Sequence, residues 1–239
     1  MGAEILGNIV ANLSLAIRGE AATLFGNRDS SKGIFNMEHK IQCRCTKLQG
    51  KLSRPVRLTR TLCYCQDCQV FAHFLQRPAD ILNAQGGTDI IQTLPCYIHF
   101  SQGSEYLACV RLSPTGLLRW YASCCNTAIG NTLPDQKKSF VGLVHCCLPQ
   151  QNPATLDSSF GPVQAVVNTA GASGQTPVAA YGLWRVLWAI IRMMLMARLS
   201  GGYKNTPFFQ PQTGLPVVQP RVLSKTERHA LQAAVQPPL

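Results

Sequence analysis

Cys63-Tyr64-Cys65-Gln66-Asp67-Cys68 places three thiols within six residues. Alternate residues of an extended segment face the same side, so Cys63 and Cys65 can aim at one point. Cys68 then closes the set from the first turn of a helix that starts near Asp67, with Val70, Phe71, Phe74 and Leu75 as its apolar face. A helix N-terminus carries partial positive charge and favours the thiolate, which is the form that binds metal. Three thiolates leave one position open on a tetrahedral zinc, the arrangement of a reactive rather than a structural site.

Working outward, Cys43-Arg44-Cys45 repeats the Cys-x-Cys spacing, and Cys124-Cys125 lies far along the chain. Adjacent cysteines cannot both converge from a regular strand, but a turn allows it. The two readings are a four-thiolate structural zinc, or a three-thiolate site with Cys124 pointing away. The chain thus calls for one or two zinc ions. Cys96 and Cys109 fall in strand-like runs and read as buried fillers. His145-Cys146-Cys147 has no distant ligand partners of its own. With 11 cysteines the count is odd, and spacings of two or three residues strain a disulfide. Free thiols in this number point to a reducing compartment, the cytoplasm.

The flanking sequence reads as mainly β. Over residues 38–148, β-branched and apolar runs alternate with turn signals: 56–62, 90–94, 97–100, 106–112, 117–121 and 140–144. Residues 1–36 read as an extension, with a turn-rich stretch at 26–33 and Met37 as a candidate working start. Residues 149–181, rich in Pro, Gly, Ala, Ser and Gln, read as a linker. In the C-terminal extension, 182–239, residues 182–200 form an amphipathic helix with Trp184, Leu187, Trp188, Ile191 and Leu195 on one face. The expected use of that face is docking on the β domain or a dimer partner; peripheral membrane contact is the alternative. Three arginines argue against a transmembrane span. Residues 205–223 are Pro-rich and extended. Ser224-Lys225-Thr226-Glu227 is a capping box opening a short helix over 225–234.

Ile41-Gln42-Cys43-Arg44-Cys45-Thr46-Lys47-Leu48-Gln49-Gly50, the three-cysteine motif, and Tyr121-Ala122-Ser123-Cys124-Cys125-Asn126-Thr127 together resemble the glutathione-dependent formaldehyde-activating enzyme and centromere protein V family. The resemblance covers residues 38–148. It implies small coiled antiparallel sheets, a structural zinc held by the first Cys-x-Cys and a late cysteine pair, and a catalytic zinc held by Cys63, Cys65 and Cys68. The implied activity is that of a carbon–sulfur lyase that adds a thiol such as glutathione to formaldehyde or another small aldehyde. The late motif departs from the family's: Ala122 stands at its first cysteine and Asn126 at its glycine. The structural site is then rearranged around Cys124, three-coordinate, or empty.

Lys plus Arg is 22 against 11 Asp plus Glu, a net charge of +11. That balance suits an anionic partner. It supports the competing reading, a non-catalytic zinc module for nucleic acid or a protein partner, although the charges are dispersed and no basic-aromatic strip interleaves them. For substrate carboxylates the candidates are Arg44, Arg57, Arg60, Arg119 and the amides of Gly86-Gly87-Thr88-Asp89, which otherwise reads as a turn before a strand. Asp67 reads as a helix cap and His73 as a solvent-facing helical residue, each with a second reading as a proton-transfer group.

Overall fold

In the computed structural model the described residues are 38–53, 59–149, 153–179 and 182–235. The extension over 1–36, Met37 and Arg57 lie outside them.

Side-chain alternation along the central strands explains the layering. In β8 (Thr127–Thr132), Ala128 joins one apolar cluster and Ile129 the other; in β9 (Val141–Val144), Leu143 and Val144 divide the same way; so do Cys109 and Val110 of β6 (Leu107–Arg111). Successive residues of a strand point to opposite faces, so these strands must be covered on both. They belong to an eight-stranded sheet ordered β10-β3-β4-β9-β8-β7-β6-β11, where β3 is Thr59–Cys63, β4 Thr88–Thr93, β7 Leu118–Ala122, β10 Ala165–Val167 and β11 Arg221–Val222. The inner strands are antiparallel; β10 and β11 add parallel to the two edges.

A three-stranded antiparallel sheet, β1 (His39–Gln42), β2 (Gln49–Leu52) and β5 (Ile98–Gln102), covers one face. Ile41, Leu48 and Leu52 pack there with Trp120, Ile129, Leu143 and Phe208. Helices α1 (Gln66–Phe74) and α2 (Pro78–Ile81) cover the other through Val70, Phe71, Leu75 and Ile81. The chain is therefore mainly β, as its sequence pattern indicates. The principal sheet is larger than the small sheets expected.

The stretch 149–181 is not a plain linker. It holds α3 (Pro153–Phe160) and β10, which pairs with β3 from Ala165↔Thr61 to Val167↔Cys63. A three-residue strand is too short to show a period of two, and its loop-like composition hides it. The Pro-rich stretch 205–223 also enters the core: Phe208 is fully buried against Trp120, with ring centroids 5.0 Å apart.

Arg60, 2% exposed, ties this edge together. Its Nε and Nη2 donate to Asp89 at 2.9 and 2.7 Å, and Nη1 donates to the Gly161 carbonyl at 3.0 Å and to Asp157 of α3. The guanidinium is thus a structural cation, not a substrate contact. Burial alone would depress its pKa, but Asp89 and Asp157 outweigh burial and raise it. Arg60→Met should destabilise the fold by about 3–5 kcal/mol in urea unfolding, because the largely buried Asp89 would lose its partner.

Two C-terminal helices follow, α4 (Leu183–Leu199) and α5 (Lys225–Ala233). Helix α5 starts at Ser224, with both hydrogen bonds of the capping box formed. Helix α4 docks through Val186 and Ala197, with Ile190 and Met193 half-buried. The face expected to dock is the exposed one: Trp184 is 77% exposed and Trp188 51%. Because α4 is apolar on almost every side, periodicity could not choose between the two stripes.

Candidate metal centres

Two cysteine clusters could hold a metal ion: Cys63, Cys65 and Cys68, and Cys43, Cys45, Cys124 and Cys125. In each, the sulfurs all lie within 4.8 Å of one another.

The three-cysteine cluster forms where β3 meets α1. Cys63 ends the strand, Cys65 is the N-cap of the helix, and Cys68 lies in its first turn, where its amide donates to the Cys65 carbonyl at 3.0 Å. Cys63 and Cys68 are buried and Cys65 is partly exposed. The ionisations are linked. Hydrogen bonds from Cys65 and Cys68 hold the Cys63 thiol at about 2. The same interaction with Cys63 pushes Cys65 and Cys68 up. Three thiols this close oppose one another's ionisation, a conflict that a bound cation relieves.

Two further groups touch this cluster. Arg119, 3% exposed, places Nη1 3.9 Å from Cys68 Sγ and 3.3 Å from Asn131 Oδ1, with its guanidinium 5.4 Å from the Phe71 ring centroid. Its placement follows from strand alternation: Trp120 points toward the small sheet, so Arg119 points toward α1. A buried cation beside three thiolates offsets the net negative charge left when they bind a divalent ion. Asn168, at a left-handed φ of 56°, donates from Nδ2 to Cys63 Sγ at 3.4 Å. The segment carrying it is fastened on both sides: the Tyr64 amide donates to the Val167 carbonyl at 3.1 Å, and Gln69 Nε2 to the Gly171 carbonyl at 2.8 Å. Gly171 runs so close to the Tyr64 carbonyl that a Cβ would collide with it. No sequence motif flagged Asn168; only a left-handed asparagine beside a glycine-bearing turn hints at it.

Asp67 does not cap α1, whose N-cap Cys65 makes no side-chain cap bond. Asp67 instead receives Arg228 of α5 at 3.1 Å and lies 3.8 Å from Arg119. His73 lies in the last turn of α1, half-buried. The glycine loop forms the turn before β4, and its amides are taken: Gly87 N donates to Asn83 Oδ1 at 2.8 Å and Gly86 N to the Asn83 carbonyl at 2.9 Å. They are not free for a substrate carboxylate. Arg44 lines a cleft of about 190 Å³ with Arg77, Asp80 and Asn126.

The four-cysteine cluster joins the two sheets. Cys43 and Cys45 lie in the β1–β2 turn, and Cys124 and Cys125 in the β7–β8 turn. Sulfur separations are 3.5 Å for Cys43–Cys45, 3.7 Å for Cys43–Cys124, 3.3 Å for Cys45–Cys124 and 3.9 Å for Cys124–Cys125. Left-handed residues in each turn, Thr46 at φ 61° and Asn126 at φ 54°, bend the backbone so that neighbouring cysteines converge. The Leu48 amide donates to Cys43 Sγ at 3.2 Å, and Thr127 Oγ1 lies 3.2 Å from Cys125 Sγ. At Cys125 burial opposes ionisation, but hydrogen bonds from Thr127 and Cys45 outweigh it and bring the thiol to about 6. Burial pushes Cys43 and Cys124 up. Cys124 thus points into the cluster, and Ala122 is a buried residue at the end of β7.

The remaining cysteines stand apart from both clusters. Cys146 and Cys147 are buried, with sulfurs 3.4 Å from the Ala128 carbonyl and 3.5 Å from the Ile129 carbonyl. Burial raises Cys109 and Cys146 to about 12.

Curated proteins provide no match to the chain. A family model does match residues 37–219, which include β1 to β10, α4 and all seven clustered cysteines. A match over more than three quarters of the sequence places the chain in DUF6151, a family of unknown function.

Proposed function

We propose that the chain is a zinc protein that binds a small thiol such as glutathione at the Cys63–Cys65–Cys68 centre and joins it to a small aldehyde such as formaldehyde. The observation that carries this reading is the convergence of three thiols with no fourth cysteine in the cluster. Zinc bound there would act as a Lewis acid toward a thiol or a carbonyl oxygen. The chain's own groups do the rest: the three cysteines hold the ion, Arg119 balances charge from the buried side, and Asn168 donates to Cys63. The four-cysteine cluster is the structural site of this proposal, with Cys124 in place of the cysteine that Ala122 lacks. Eleven thiols without a disulfide suit a reducing compartment such as the cytoplasm.

The test is the rate of adduct formation from glutathione and formaldehyde, above the spontaneous rate. Cys65→Ser should lower the enzyme-dependent rate by more than about a hundredfold, beyond the roughly 10–100-fold typical of losing an outer-shell partner. An unchanged rate in Cys65→Ser would sink the proposal.

The burial of Cys63 and Cys68, with the net charge of +11, favours a second reading: a non-catalytic zinc module that binds nucleic acid. Its affinity for a mixed oligonucleotide pool would fall steeply with salt. An absence of binding at low salt would remove that reading.

A further inference from the structure

Helix α4 presents an apolar ridge to the outside. Trp184, Trp188, Ile191 and Leu195 recur at helical spacing opposite the docked stripe, and all four are exposed, Trp184 by 77% and Ile191 by 51%. A soluble helix normally turns polar side chains to water. Here the outward face has no acidic residue: the helix reads LWRVLWAIIRMMLMARL, and its only charges are Arg185, Arg192 and Arg198. At 100° per residue, Arg192 and Arg198 flank the ridge on opposite sides. Beyond the C-terminus, Tyr203 lies under the Arg198 guanidinium at 6.0 Å, next to Lys204.

We propose that α4 is an in-plane membrane anchor that lays its Trp184–Leu195 ridge into an anionic lipid surface. Charge chooses this occupant. Tryptophan favours the boundary between headgroups and acyl chains. Arginines on both flanks of the ridge meet anionic headgroups, and the chain as a whole carries +11. A second copy packed helix to helix would instead set the arginines of both copies against each other, with no acid on either helix to offset them. Spanning does not suit this helix: its 17 residues lie at the short end of what a bilayer needs, and three of them are arginines. Among the described residues no helix is long and apolar enough to cross a membrane. Lying in the surface requires no such length. Held this way, the β layers behind the helix would sit at the membrane face.

The test is co-sedimentation of the full chain with phosphatidylcholine vesicles, with and without phosphatidylglycerol, alongside tryptophan fluorescence. The chain has three tryptophans; Trp120 is fully buried, so a spectral shift reports Trp184 and Trp188. Binding to the phosphatidylglycerol vesicles, with a blue shift, is expected. Trp184→Glu/Ile191→Glu alters only exposed side chains, so metal content and circular dichroism should hold while binding is lost. Arg192→Gln/Arg198→Gln should weaken binding by about 25-fold, since each basic residue near an anionic surface contributes about fivefold. Absence of binding, or equal binding to neutral vesicles, overturns the proposal. So does a lipid-free dimer that Trp184→Glu/Ile191→Glu dissociates, which would make a second copy the occupant.

Discussion

Cys63→Ser/Cys65→Ser protein is expected to carry one zinc equivalent fewer than the natural chain when both are purified without chelators. The three sulfurs lie within 4.8 Å of one another at the junction of β3 and α1. Two of them are buried. Grouped thiols suppress one another's ionisation: the hydrogen bond with Cys63 pushes both Cys65 and Cys68 up. A divalent cation removes that conflict and releases the retained protons. With only Cys68 left, a single thiolate cannot hold zinc against buffer. The fold should survive, because serine is close in size and the helix start depends on backbone bonds to the Cys65 carbonyl. Elemental analysis gives the metal count, and circular dichroism shows whether the fold is intact. Equal zinc in both proteins would mean that the ion resides elsewhere, and the thiol-binding proposal would fall with it.

The four-cysteine cluster should behave differently, because it joins elements rather than opening to a ligand. Cys43 and Cys124 lie 3.7 Å apart across 81 positions of sequence, one in a turn of the small sheet and the other in a turn of the large sheet. Metal held there clips the two layers together. Structural zinc binding is worth roughly 10–16 kcal/mol in small domains that fold around it. Here the sheets also share a core of Ile41, Leu52, Trp120 and Ile129, so a loss of about 5 kcal/mol is a fair share. At ~2–4 °C per kcal/mol for a chain of this size, Cys43→Ser/Cys124→Ser should lower Tm by roughly 10–20 °C. It should also remove a second zinc equivalent. The single variant Cys124→Ser separates the two arrangements considered for this site. A large drop supports four-thiolate coordination, whereas natural Tm and metal content would leave Cys43, Cys45 and Cys125 as a three-thiolate site.

What was legible in the sequence is what local geometry controls. Cys63, Cys65 and Cys68 converge because two of them alternate on an extended segment and the third follows one helical turn later. That needs no distant contact. The same holds for α5, whose capping box is written in Ser224 and Glu227, and for the strands with strong β-branched runs. Strand β8, Thr-Ala-Ile-Gly-Asn-Thr, has no marked apolar run of its own; its burial comes from its place between β7 and β9 rather than from its composition.

Tertiary structure alone decided the rest. Sheet order brings the β1–β2 and β7–β8 turns together, and one left-handed residue in each, Thr46 and Asn126, lets the cysteines of both turns converge. A three-residue parallel strand carries Asn168 to Cys63, with its hydrogen bonds supplied by β3 rather than by any local pattern. Arg119 and Arg60 read alike as candidates for substrate carboxylates, yet both are buried, one against thiols and one between two aspartates. The outward ridge of α4 is the last case. A helix apolar on two sides has two faces fit to dock, and only the shape of the sheet behind it selects the one that packs.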